Sequence, residues 1–83
     1  METKTIQGLL TYITKSLVKN PDDVIVAEKI TEDGILEYTL SVNPDDMGRI
    51  IGRNGKTARS VRLLVSAKAS LENKRTHIEI AED

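Results

Sequence analysis

The residues whose types and spacing can do chemistry are concentrated in one stretch, Ile50-Ile51-Gly52-Arg53-Asn54-Gly55-Lys56-Thr57. Two glycines stand three apart, with Arg53 and Asn54 between them. Without a Cβ in the way, a glycine-bounded loop lets its backbone come close to a sugar–phosphate chain. Backbone N–H groups and nearby cations can then meet phosphate oxygens, which is the chemistry of holding a polyanion. The charge pattern agrees. From Met47 to Leu71 there is no acidic residue, and Arg49, Arg53, Lys56, Arg59, Arg62 and Lys68 supply six positive charges. Elsewhere the chain carries six basic and thirteen acidic residues, a net of −7, so the overall charge of −1 hides a strong segregation. Segregation of this kind focuses an anionic ligand on one surface while the rest keeps the protein soluble.

Other groupings carry less. Gly55-Lys56-Thr57 has the tail of a phosphate-binding P-loop, but Ile50 stands where that motif needs its first glycine. A P-loop also follows a strand, whereas Pro44 to Ile51 reads as a helix. His77, the only histidine, reads as an exposed strand residue, and with no cysteine in the chain it cannot build a usual zinc site. Asp45-Asp46 reads as a helix-start pair and Asp22-Asp23 as part of a turn. Nothing places a nucleophile, base and acid together. The chain is therefore expected not to be an enzyme and to need no cofactor or metal.

The loop must be held by its neighbours. Ile6, Leu9, Leu10, Ile13 and Leu17 recur at helical spacing and predict an amphipathic helix over about 4–18. Asn20-Pro21-Asp22-Asp23 ends it with turn chemistry. Residues 24–31, rich in Val and Ile, read as a strand. Gly34 allows a tight turn, and residues 35–42 alternate, with Leu36, Tyr38, Leu40 and Val42 on one face, to complete a hairpin. Asn43 is a good N-cap and Pro44 suits a first helical position, so a short helix begins there and stops at Gly52. A second helix follows over about 56–71, with Ala58, Val61, Val65 and Leu71 marking its apolar side and Arg59 and Arg62 on another. Residues 75–81 alternate again as a last strand, with Ile78 and Ile80 inward. The order α-β-β-α-α-β predicts an α+β domain, a three-stranded sheet with three helices packed on one face. The glycine loop joins two consecutive helices at its edge.

Eighty-three residues make one small domain over residues 1–83, and the composition, 39% hydrophobic and 30% charged, is that of an ordinary soluble protein. The absence of cysteine fits a reducing cytoplasm. No apolar run approaches the roughly 18 residues of a membrane span, and no signal peptide is expected. Two tyrosines, with no Phe or Trp, exclude aromatic platforms on which bases stack.

The element order and the core Asp46-Met47-Gly48-Arg49-Ile50-Ile51-Gly52-Arg53-Asn54-Gly55-Lys56-Thr57-Ala58-Arg59 resemble a KH domain of the bacterial, type II topology. The core looks like the Ile-Gly-x-x-Gly signature whose loop clamps about four nucleotides. The short length, the N-terminal helix and the phrase Asp46 to Gly52 look most like the small stand-alone bacterial KH proteins of the KhpA family, and the likeness covers essentially the whole chain. The resemblance implies a non-enzymatic protein that binds single-stranded RNA. Gly52 and Gly55 would bend the loop and admit the backbone, Arg53 and Asn54 would meet phosphates, and Ile51 would line an apolar groove for bases. Lys56 and Arg59 would add charge along the strand's path, with Arg49 and Arg62 as weaker candidates. Where many relatives carry a basic residue between the glycines, this chain has neutral Asn54. The resemblance also implies pairing, as a homodimer or with a larger KH-containing protein of the KhpB, Jag or EloR kind. It further implies an RNA-chaperone or post-transcriptional role connected with cell elongation, cell shape and peptidoglycan homeostasis. The second helix carries more large apolar residues than one face needs, and Leu64, off the Ala58–Val61–Val65 line, is the expected partner contact. The rival reading is a protein–protein adaptor in which RNA binding is vestigial.

Overall fold

The computed structural model describes residues 3–81. Helix α1 spans Ile6–Leu17, and Thr5 caps it by accepting a hydrogen bond from Gly8 N–H at 2.9 Å. Its apolar stripe places Ile6, Leu10 and Thr14 in the interior, while Leu17 at the last turn is exposed. Buried Thr14 satisfies its hydroxyl on the Leu10 carbonyl at 2.8 Å. A 3-10 turn at Pro21–Asp23 leads into β1, Ile25–Ile30, which pairs antiparallel with β2, Leu36–Ser41. Between them Gly34, at φ 82°, closes the turn by donating to the Thr31 carbonyl at 2.9 Å. β1 is the exposed outer strand. Its inward Glu28 accepts from the hydroxyl of buried Tyr38 at 2.7 Å. Burial and that carboxylate push the Tyr38 hydroxyl far above its ordinary pKa, so it remains a donor.

Asn43 opens the next segment as expected, its side-chain oxygen accepting from Asp45 N–H at 2.8 Å. A 3-10 turn, Pro44–Asp46, then runs into the short α2, Met47–Ile51. After the glycine loop, α3 spans Lys56–Leu71. It ends in a Schellman arrangement, with Lys74 N–H bonding the Ala69 carbonyl at 2.8 Å and Asn73 N–H the Ser70 carbonyl at 3.0 Å. Asn73 takes the left-handed conformation this needs, at φ 58°. The chain returns as β3, Thr76–Ile80, parallel to β2, and the sheet order is β1-β2-β3. Parallel neighbours require a crossover, which α2 and α3 supply.

All three helices cover one face. The core joins Ile6 and Leu10 of α1, Leu36 and Tyr38 of β2, Val61, Val65 and Ala69 of α3, and Ile78 of β3. The alternation predicted for β2 holds: Leu36, Tyr38 and Leu40 are buried. The apolar side of α3 needs one correction. Leu71 is 86% exposed, and Ala69 takes the inner position at the helix end. Ala69 lies eleven residues, three full turns, beyond Ala58, whereas Leu71 has rotated past the core face. Leu63 and Leu64 are exposed as well.

Candidate nucleic-acid interface

The loop is built from unusual backbone. Gly52, which ends α2, sits at φ 76° and ψ 172°, a conformation essentially restricted to glycine. A Cβ there would lie 2.8 Å from Thr57 N and against the Thr57 side chain, so close packing on α3 demands glycine a second time. Asn54 and Gly55 follow in the left-handed region, at φ 57° and 73°. Asn is among the few side chains that enter this region readily, so Asn54 is there for its backbone as much as for its neutral head group. A Cβ on Gly55 would meet only the tip of the Arg59 side chain, at an ordinary 3.8 Å. Internal bonds use the N–H of Gly52 to Gly48 O (2.9 Å), of Gly55 to Gly52 O (3.1 Å) and of Lys56 to Arg53 O. Arg53 and Asn54 are left as the exposed tip. Behind them the N-terminus of α3 points its positive dipole end into the loop, and Gly55 at the cap position brings no side chain to cover it.

One carboxylate orients this unit, and sequence reasoning missed it. Asp46, read as a helix-start acid, is completely buried. It accepts from Lys19 N–H, Asn20 N–H and Asn20 Nδ2, each at 3.0 Å, and pairs with Arg49 Nε at 3.8 Å. The Lys19 N–H bond, aided by the Asn20 donors and Arg49, outweighs burial and holds the carboxyl below its ordinary range. The segment after α1 is thereby tied to the residue that starts α2. No local signal marks Asp46 for burial, because its donors lie 26 and 27 residues away.

From the loop an open groove of about 450 Å³ runs between α3 and β3. Ile51, Ala58, Ile78 and Ile80 contribute its apolar lining, and Arg59 and Arg62 line it as cations. Of the residues singled out in the sequence, the structure brings Ile51, Gly55, Arg59 and Arg62 together along this groove. It places Gly52, Arg53 and Asn54 in the loop from which the groove runs and exposes Lys56 on the first turn of α3. Arg49 is drawn toward Asp46 instead. Among the described residues, Arg53, Lys56, Arg59 and Arg62 take part in no ion pair. Glu79 is the one acid in the lining. His77 is exposed on its strand, and no group of His, Cys, Asp and Glu among the described residues could hold a metal ion. No helix there is long and apolar enough to cross a membrane.

Residues 7–80 match the family described as KhpA/KhpB, KH domain. The chain belongs to the KhpA/KhpB KH-domain family. Within the family, proteins named RNA-binding protein KhpA are similar over nearly their full length. The one from Clostridium perfringens is 44% identical over 75 residues, covering 90% of this chain and 99% of that protein. The one from Listeria monocytogenes is 42% identical, covering 93% and 100%. The one from Clostridium acetobutylicum is 46% identical, covering 90% and 99%. Among solved structures, a point variant of Era from Aquifex aeolicus, bound to GDP and aluminium fluoride, is similar with a TM-score of 0.62 at 12% identity. That likeness covers 90% of this chain and 29% of the other, and at such identity it concerns the fold alone.

Proposed function

We propose that this protein binds single-stranded RNA, clamping the phosphate backbone at Gly52-Arg53-Asn54-Gly55 and laying bases along the groove beside Ile51. One observation carries the reading: a backbone-strained glycine loop opens directly onto an apolar groove, and Arg53 and Lys56 of the loop region and Arg59 and Arg62 of the groove have no acidic partner among the described residues. Phosphate contacts would give affinity and register, and groove contacts would give base preference. The names of the KhpA relatives support RNA as the ligand. With two to four phosphates engaged, the slope of log K against log salt is expected to be roughly −1.5 to −3.

The protein works as a dimer or with a larger KH-containing partner, because one module holding about four nucleotides gains useful affinity from a second. Leu64 and Leu71 are exposed on the side of α3 roughly 160° round the helix from Arg59 and Arg62. A partner on that side would leave the groove open. The cytoplasmic, post-transcriptional role in cell elongation and shape implied by the resemblance belongs to the same proposal.

Fluorescence anisotropy with a short single-stranded RNA pool at two salt concentrations tests the clamp. Arg53→Asp/Asn54→Asp, checked for folding by circular dichroism, is expected to lose the salt-dependent binding. Equal binding by wild type and this folded variant would overturn the clamp and favour the adaptor reading. Leu64→Lys is expected to lower the sedimentation mass of the assembly while the loop still binds RNA.

A further inference from the structure

Of the two edge strands of the sheet, β3 turns its unpaired edge to the groove, with a fixed polarity. Two bonds fix the alternation of β3. Leu36 N–H bonds Arg75 O at 2.9 Å, and Ala81 N–H bonds Leu40 O at 2.8 Å. In a parallel pair, both backbone groups of a residue point to the same side, alternating along the strand. Odd-numbered residues of β3 therefore turn their backbone to β2. Thr76, Ile78 and Ile80 turn theirs to the free edge. An edge of this kind ordinarily offers equal numbers of donors and acceptors to whatever lies against it.

Here one lone pair of one acceptor is already used. Arg62, one turn beyond Ala58 on α3, spans the groove and donates Nε–H to the Ile78 carbonyl at 3.3 Å. The guanidinium has five N–H groups in a fixed fork and no acceptor, so four donors remain. With the Ile78 N–H beside them and one of the two lone pairs of the Ile78 carbonyl taken, donors outnumber acceptors in the middle of the groove, where a bare strand edge would balance them. A base whose facing edge carries a keto oxygen meets those donors. One that carries an exocyclic amino group there sets donor against donor and forfeits the bond.

Resting on the RNA-binding reading above, we infer that Arg62 is a specificity-determining residue and that the groove selects keto bases, uracil and guanine, over the amino bases, cytosine and adenine. Arg62 acts in two ways: it takes one lone pair of the Ile78 carbonyl, and it supplies the fork that reads the base oxygen. The phosphate clamp at the loop is indifferent to this choice.

Isosteric pairs isolate the effect. Octauridylate and octacytidylate differ at the exchange of a keto oxygen for an amino group and the accompanying ring proton. A single inosine or adenosine in the middle of octacytidylate, where every other base carries the amino group, makes the same exchange on a purine. In competition anisotropy near neutral pH, wild type is expected to prefer the keto member of each pair by about tenfold, the discrimination of one good base contact. Arg62→Lys keeps the charge but loses the fork, and is expected to retain the salt slope while the preference falls toward one. Arg62→Met keeps the apolar stem, lowers the slope, and likewise abolishes the preference. Equal binding of both members by wild type, or a preference unchanged in Arg62→Lys and Arg62→Met, overturns the inference. The Arg53→Asp/Asn54→Asp variant runs alongside. If it abolishes binding while wild type shows no keto preference, the clamp stands and only the base reading falls. If it binds every probe as wild type does, or wild type binds none, the clamp and the base reading fall together.

Discussion

The tetrapeptide Asn-Pro-Asp-Asp occurs twice, at 20–23 and 43–46, and the two copies are put to different uses. Locally they match: each forms a 3-10 turn at its Pro-Asp-Asp. In the second copy Asn43 caps its own turn, and Asp46 is buried at the start of α2. In the first copy Asn20 caps nothing with its side chain, and Asp22 and Asp23 are exposed. The copies also bond to each other reciprocally. Asn20 Nδ2 donates to Asp46 at 3.0 Å, and Asn43 Nδ2 donates to Asp23 at 2.9 Å. The difference teaches that an acidic residue after Pro is a turn former by its chemistry and becomes an anchor only by its neighbours. Asp46 gathers three donors and a guanidinium in the interior, where unmade bonds are expensive, whereas Asp23 receives one donor in water.

The sharpest test of that contrast is Asp46→Ala against Asp23→Ala. Asp46→Ala strands two backbone N–H groups and is expected to lower the melting temperature by about 10 °C or more, with RNA affinity falling as the loop loses its orientation. Asp23→Ala is expected to shift it by about 2 °C or less. Equal shifts in calorimetry would break the comparison.

Glycines on the two sides of the molecule differ in the same way. Gly52, in the unit that Asp46 holds, has both a glycine-only conformation and Thr57 in the path of a Cβ, while a Cβ on Gly34 in the β1–β2 turn would meet nothing within 4 Å. Gly52→Ala is expected to cost about 3 kcal/mol in urea unfolding and Gly34→Ala about 1 kcal/mol.

Acid should narrow the gap between the motifs. Because the folded-state pKa of Asp46 lies below its unfolded value, its contribution is present above the unfolded value, near 3.9, and is lost as pH falls through the folded one. The stability of wild type relative to Asp46→Asn is expected to be constant from neutrality to about pH 5 and to shrink below about pH 4. A gap that stayed constant to the lowest pH at which both fold would argue against an ionised anchor. The smallest effect belongs to the cap: Asn43→Ala is expected to cost about 1 kcal/mol, measured by the same unfolding curves.

Much of this was legible in the sequence because it depends on near neighbours. Alternation at Leu36, Tyr38 and Leu40 marks a half-buried strand whatever lies beyond it. Asn43-Pro44 starts a helix through bonds within three residues. Gly52 and Gly55 bound a loop because no helix continues through them, and the acid-free window from Met47 to Leu71 is a property of the string itself. Leu71 misled because thirteen residues from Ala58 do not complete whole turns, an angular error that grows with distance from the anchoring positions. Leu63 and Leu64 could be seen as surplus, but their exposure depends on where the sheet and α1 end.

The chain by itself determined its elements, their order, the cationic loop and the family, since each follows from local conformational preference or from composition. Tertiary structure alone decided that Asp46 is an anchor and Asp23 is not, that Thr57 closes the space behind Gly52, and that Arg62 lies against the free edge of β3. Those facts rest on donors, atoms and strand edges brought together from positions up to 27 residues apart, and no periodicity records which of two identical turns will meet them.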